Sequence, residues 1–220
     1  MSLKIAVFGT SRSGKDYTIH DATELLAEEG ILLTHLSPIG MVHGELGGRS
    51  LRNMSNSEKN DVISTVRNRI NDLLQDGYVI VDEHYCFPET FGGRKIDNGY
   101  YGEKLPYRVE QNKGGNRYET VFEARWIKKY DLIIYLDIDP VTILDRFHSS
   151  EGDKKNLFAT YEDISLWQIF EMERLEDLCN NYHIPMYYVY DPKKSGEELA
   201  TIISRHLKTI GSGTRTKTRN

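Results

Sequence analysis

Residues Gly9–Tyr17 run "GTSRSGKDY", directly behind the apolar stretch "LKIAVF" of Leu3–Phe8. This stretch meets the phosphate-loop pattern G-x-x-x-x-G-K-[ST] at seven of its eight positions. At the eighth, where the pattern asks for a hydroxyl, stands Asp16. Glycines in such a loop let backbone N–H groups turn toward phosphate oxygens, and the helix that follows offers them its positive N-terminal end. Lys15 is placed to reach the outer phosphates of a bound polyphosphate. Gly9, Arg12, Ser13, Gly14, Lys15, Asp16 and Tyr17 are thus the expected nucleotide-holding residues. For Arg12 the pattern leaves open whether it touches phosphate or faces solvent.

A carboxylate beside a polyphosphate is repelled unless a cation lies between them. Asp16 is therefore read as a Mg²⁺ ligand, direct or through water, because carboxylates and phosphates share that ion readily. The alternative is an acidic residue in the first turn of a helix, where negative charge is favoured.

Working outward, apolar strand-like runs alternate with amphipathic ones, which argues for an α/β fold with a mostly parallel sheet. A helix is expected over 15–29, with Gly30 as its stop, and "ILLTHL" is the second strand. Ser55 and Glu58 have capping-box spacing before a helical stripe of Val62, Ile63, Val66, Ile70, Leu73 and Leu74, ended by Asp76-Gly77. "YVIVD" is a buried strand ending on Asp82, and "DLIIYLDID" another, followed by Asp139 as N-cap and Pro140 at the first helical position. A helix over 162–181 carries Trp167 and Phe170 as core, "MYYVY" is the fifth strand, and Ser195 with Glu198 caps a final helix. The fold expected is a three-layer P-loop fold with a five-stranded parallel sheet in the order 2-3-1-4-5. One domain over 1–210 is expected, with a lid at about 147–160 and an insertion at about 84–125 after the third strand. The insertion, rich in Gly, Tyr and charge, is too long for an ordinary connection, and a hairpin is expected around Asn98-Gly99. Tyr100, Tyr101 and Tyr107 within it either stack on a ring or pack onto the body.

In parallel sheets ligands gather at the carboxyl ends of the strands. Asp82 is placed there to hold metal-bound water or take a proton, with Glu83 and His84 beside it. The metal ligands expected are thus Asp16 and Asp82.

Composition excludes several classes. The chain has 220 residues, 28 Lys+Arg against 33 Asp+Glu and a net charge of −5, so a general nucleic-acid field is not expected. Arg215, Lys217 and Arg219 make the 211–220 tail locally basic, and it is read as flexible. Two cysteines, Cys86 and Cys179, lack any zinc or disulfide spacing, and the seven histidines lack metal-binding spacing. No apolar run approaches a membrane span and no signal peptide precedes the first strand, so a cytoplasmic protein without membrane partners is expected.

Together these segments resemble the P-loop nucleoside monophosphate kinases, most of all the archaeal-type adenylate kinases. "LRNMS" before a helix, then "VIVDEH", is similar to that family's acceptor-side helix and third strand, and "YDLIIYLDIDPVTILDR" to its fourth strand and the helix leading to the lid. The loop "RSGKD" is also similar to those of a phage deoxynucleoside monophosphate kinase and the animal phosphomevalonate kinases, active enzymes with Asp after the Lys. The resemblance implies ATP and Mg²⁺ as cofactors and transfer of the γ-phosphoryl group to a small phosphorylated acceptor, nucleoside monophosphates first. It implies a catalytic set of Lys15, Asp82, Arg52 on the acceptor phosphate and Arg146 at the lid. Where the family carries paired lid arginines, this chain has Lys154 and Lys155, expected to neutralise donor phosphates. Association between copies is left open.

A P-loop ATPase or nucleotide-binding regulatory protein, with Asp82-Glu83 activating water, is the rival. A GTPase is not expected, because "NKGG" lacks the Asp of N-K-x-D and no strand is expected before it.

Overall fold

The computed structural model describes residues 2–49, 54–75, 77–91, 94–95, 109–112, 115–120, 122, 124–149 and 158–213. The first unit is strand β1 (Leu3–Phe8), the glycine loop, helix α1 (Lys15–Glu28) and strand β2 (Leu33–Leu36). Helices α2 (Pro38–Leu46) and α3 (Asn56–Leu73) precede strand β3 (Tyr78–Asp82). The insertion follows, as strands β4 (Cys86–Pro88), β5 (Thr90–Phe91), β6 (Arg94–Lys95), β7 (Val109–Gln111) and β8 (Arg117–Thr120), then a 3₁₀ helix at Ala124–Lys129. Strand β9 (Leu132–Leu136), helices α4 (Pro140–Ser149) and α5 (Tyr161–Tyr182), strand β10 (Met186–Val189) and helix α6 (Ser195–Gly213) complete the order.

The main sheet runs β10-β9-β1-β3-β2. Counted within this sheet alone the order is 2-3-1-4-5, and each neighbouring pair is parallel. Register places Val7 opposite Asp82, and the Glu83 N–H donates to Val7 O at 2.9 Å. The end of β1 and the end of β3 therefore open side by side, with the glycine loop between sheet and α1. All five β9 residues are buried, as are Ile5, Ala6, Val7 and Phe8 of β1. A strand buried at consecutive positions is covered on both faces, which is why these runs are continuously apolar. Helix α5 lies on the face from which Tyr135 projects, since the Tyr135 hydroxyl meets Glu171. Helix α1 packs along α6, where the Thr18 and Ser195 hydroxyls are 2.7 Å apart and a Cβ at Gly196 would meet Asp21 Oδ2 at 1.8 Å.

Local signals account for most element ends. The capping box at α3 is present in both directions, Glu58 N–H to Ser55 Oγ and Ser55 N–H to Glu58 Oε2. Thr142 N–H donates to Asp139 Oδ2, so Asp139 caps α4 as its sequence position suggests. Trp167 and Phe170 are core, at 1 % and 3 % exposure.

Several elements depart from expectation. Strand β2 starts at Leu33 because the Ile31 N–H is taken by Leu26 O at the end of α1. Helix α2 was not expected, although Ser37 accepting from the Gly40 N–H and Pro38 in the first turn are ordinary start signals. Leu73 is 41 % exposed, because the buried stripe of α3 runs Val66, Ile70, Leu74 at four-residue spacing. Ser195 and Glu198 form no capping box: the Ser195 hydroxyl faces Thr18, and Glu198 accepts from the Tyr190 N–H across the turn. Tertiary partners outcompete the local pair. Asn112, the first residue of "NKGG", does follow a strand, β7, but one that pairs antiparallel with β8 outside the main sheet. The expected hairpin at Asn98-Gly99, Tyr100, Tyr101 and Tyr107, most of the lid and the basic end of the tail lie outside the described residues. In their place the insertion contributes a three-stranded antiparallel sheet, β4-β8-β7, and a β5–β6 pair.

Three carboxyls are buried among the described residues, Asp82, Glu83 and Glu171, and the last of these belongs to packing. Glu171 of α5 is fully buried, accepting from the Cys86 N–H at 3.3 Å and the Tyr135 hydroxyl at 3.2 Å. Burial raises its pKa to about 7, against the opposing pull of Lys15 and these hydrogen bonds. A carboxyl with a raised folded-state pKa holds its proton in the folded chain while the unfolded chain has lost it. Its contribution is therefore complete below about pH 4.5 and is lost as pH rises through about 7. Glu171→Gln should flatten the fall in stability over that window and gain on the order of 3 kcal/mol relative to wild type at pH 8. Urea midpoints at pH 5 and pH 8 measure this; an unchanged difference between the two would rule it out.

Candidate functional site

Residue by residue, the glycine loop is held by donors from two sides. Lys15 Nζ donates inward to Gly9 O at 2.7 Å and Thr10 O at 3.5 Å, and the Ser13 N–H donates to Thr10 O at 3.1 Å. From outside, Arg146 Nη1 of α4 donates to Arg12 O at 3.0 Å and Ser13 O at 2.7 Å. Gly14 O accepts from the Thr18 N–H and so begins α1. Arg12 takes a left-handed φ of 66° and Gly14 one of 97°. Only glycine suits position 14, where a Cβ would also stand 3.1 Å from Arg146 Nη1.

The loop also leaves polar groups unused. The Thr10 and Ser13 hydroxyls are buried and have no partner among the described residues. The N–H groups of the first turn of α1 have no acceptor within the helix. Unpaired donors of this kind, at a helix N-terminus and beside a buried ammonium, make a seat for an anion.

Asp82 closes one side of the seat. It is 7 % exposed, its Oδ1 lies 3.7 Å from Lys15 Nζ, and that oxygen has no hydrogen-bond partner among the described residues. Burial pushes its carboxyl up to about 7; Lys15 opposes the rise, and the Asp16 and Glu83 carboxyls add to it. With two further carboxyls close enough to raise Asp82 and one lysine to oppose them, the set is short of positive charge. Such a set fits Mg²⁺, which takes one or two carboxylates and completes its shell with phosphate oxygens and water. Among the described residues no three His, Cys, Asp or Glu side chains converge, so the protein side builds no closed metal cage. Asp16 itself is exposed in the first turn of α1, with Tyr17 beside it at 66 % exposure, which leaves Tyr17 on the surface.

Glu83 has a different occupation. It is 1 % exposed and accepts from Arg67 at 2.6 and 3.3 Å, a fork-on-carboxylate pair, and from the Tyr130 hydroxyl at 2.7 Å. The Arg67 guanidinium also lies 5.9 Å from the Phe122 ring centre and 5.7 Å from that of Trp126. Both carboxylate oxygens are thus committed, tying α3 and Tyr130, the residue after the 3₁₀ helix, to the end of β3. Glu83 is not set to activate water, and the Asp82-Glu83 hydrolytic reading loses its base. The sequence cannot separate this role from a catalytic one, because Arg67 and Tyr130 lie 16 and 47 residues away.

His84 follows on the same side. Burial, with Lys15 adding to it, holds its imidazole well below the usual value, so it is neutral at pH 7. Its Nδ1 has no partner among the described residues. Arg52, Lys154 and Lys155 fall outside the described residues. Gly9, Arg12, Ser13, Gly14, Lys15, Asp16, Asp82 and Arg146 are brought together, with Arg146 arriving from 132 residues beyond Gly14.

No protein-family model matches the chain, and no curated protein matches it. Among solved structures it is similar to shikimate kinase from Bacteroides thetaiotaomicron, with a TM-score of 0.46 at 11 % identity, covering 92 % of this chain and 98 % of that one. It is also similar to deoxyadenosine kinase from M. mycoides with dCMP and dCDP bound, with a TM-score of 0.46 at 15 % identity, covering 94 % of this chain and all of that one. At these values neither likeness bears on what this chain binds.

Proposed function

We propose that the protein is an ATP-dependent phosphotransferase that moves the γ-phosphoryl group to a small phosphorylated acceptor, with nucleoside monophosphates as the first acceptors to test. The observation that supports this most is the juxtaposition of a buried ammonium, two unpartnered loop hydroxyls and a carboxyl pair at the open end of a parallel sheet. In this reading the loop N–H groups and Lys15 hold the donor's phosphates, and Lys15 neutralises charge on the transferring group. Asp16 and Asp82 would hold Mg²⁺, which would supply further neutralisation at the donor phosphates. An acceptor phosphate oxygen forms the new P–O bond as the β,γ-bridging oxygen leaves with ADP. Arg52, Lys154 and Lys155 enter through the family resemblance alone, as acceptor and lid contacts.

The test is ADP release from ATP–Mg²⁺ against all ribo- and deoxynucleoside monophosphates, with a control lacking acceptor. Release that depends on one acceptor supports the proposal; release equal to the control across the panel overturns the nucleoside monophosphate reading. A second test addresses the metal. Asp16→Ala should weaken ATP binding roughly tenfold or more with Mg²⁺ present and much less in EDTA. An equal loss in both conditions would show that Asp16 acts only through the helix terminus.

A further inference from the structure

The resemblance would give Arg146 a contact with the donor. Its position in the fold suggests something else. Nη1 is engaged by the Arg12 and Ser13 carbonyls at 3.0 and 2.7 Å, and the guanidinium lies over Gly14, with Cζ 3.8 Å from where a Cβ would be. In a trans peptide the C=O and the next N–H point in opposite directions. Fixing the Ser13 carbonyl outward therefore fixes the Gly14 N–H to the far side of the peptide plane. Fixing the Arg12 carbonyl likewise aims the Ser13 N–H at Thr10 O, the bond that closes the loop at 3.1 Å. With φ of 66° at Arg12, a residue with a Cβ, the loop backbone is in a region that an unheld chain leaves readily. Lys15 holds the carbonyls of Gly9 and Thr10 from within, and Arg146 holds those of Arg12 and Ser13 from without.

We propose that Arg146 is a positioning residue that sets the loop's affinity for phosphate by holding the Arg12–Ser13–Gly14 peptides, without itself touching the transferred group. This rests on the reading of the loop as a phosphate seat. It assigns the charge of Arg146 to backbone carbonyls and makes the α4–loop contact part of the donor site. A donor bound by such a loop meets N–H groups already oriented, so the ordering cost falls before binding.

The experiment uses tripolyphosphate, which has no base or sugar, and ATP–Mg²⁺, on wild type and Arg146→Ala. The brace predicts a rise of roughly tenfold or more in the tripolyphosphate Kd, the scale of a charge-assisted hydrogen bond. It predicts the same factor in the KM for ATP and a kcat within about threefold of wild type, since ground and transition states are affected alike. The Kd ratio of variant to wild type should persist in 1 M NaCl, where a pure charge effect is screened away. In wild type, ¹⁵N resonances of the Arg146 side chain should stay in place on saturation with tripolyphosphate while the Gly14 amide shifts. This last measurement decides the matter even if the variant fails to fold. A ratio that collapses at high salt, a loss confined to kcat, or Arg146 side-chain shifts as large as those of Gly14 would each overturn the brace. Wild type that binds no tripolyphosphate at all would overturn the phosphate seat along with it, whereas binding unchanged in Arg146→Ala overturns the brace alone.

Discussion

Replacing Lys15 with methionine should lower the rate of phosphoryl transfer by about 10²–10³-fold while leaving the fold in place. The Lys15 side chain is 5 % exposed and its ammonium is fixed by Gly9 O at 2.7 Å, beside the loop proposed to seat phosphate. Charge that develops on a transferring phosphoryl group there meets a donor that need not reorganise, in surroundings poorer in water than the surface. The cost to stability stays modest for a specific reason. Lys15 also lies 3.7 Å from Asp82, whose carboxyl is already up at about 7, so it can take a proton when the ammonium is gone. Methionine keeps the unbranched apolar stem of the side chain and ends where the ammonium would begin. Turnover with the best acceptor and a parallel urea titration separate the two effects. Turnover within about threefold of wild type would remove Lys15 from the chemistry and with it the main support for the proposed reaction.

The largest expected effect on stability belongs to Arg67. Arg67→Ala should destabilise the chain by about 3–5 kcal/mol, because it leaves the Glu83 carboxylate buried without its cation. Glu83 is 1 % exposed and both its oxygens are engaged by this arginine. The same change strips a guanidinium from beside Phe122 and Trp126 and loosens α3 from the sheet. Tyr130→Phe removes a single neutral hydrogen bond to the same carboxylate and should cost only about 1 kcal/mol. Denaturant midpoints of the two variants give the comparison. If Arg67→Ala were as mild as Tyr130→Phe, the pair would not hold α3, and Glu83 would again be open to a role with water.

Much of this was legible before the fold was known, and the reasons differ from place to place. The capping box at Ser55 and Glu58 formed because both partners are three residues apart and need only the helix itself. The same pattern at Ser195 and Glu198 did not form, because Thr18 and the Tyr190 N–H offered these side chains other partners. Asp82 could be placed at the site because it ends an apolar strand, and parallel strands present their carboxyl ends together. Glu83, one residue on, could not be distinguished from it. Its role depends on residues brought in by α3 and just after the 3₁₀ helix. Helix α2 was not expected because the apolar residues of the nine-residue "PIGMVHGEL" are interrupted by two glycines and give a weak periodicity, although Ser37-Pro38 marked its start.

The sequence alone determined the chemistry at the glycine loop. Backbone conformation there is set by residue type, and glycines, a lysine and a following helix are what motivate the proposed anion seat. It determined the centre of the sheet as well, since strands covered on both faces must be nearly continuously apolar and β1, β3 and β9 are. Tertiary structure alone decided which charges remain for function. It committed Glu83 to Arg67, set Asp82 beside Lys15 with an unpartnered oxygen, and brought Arg146 onto the loop carbonyls. Each of those outcomes depends on which partner arrives from a distant part of the chain, and spacing within "GTSRSGKDY" carries no record of it.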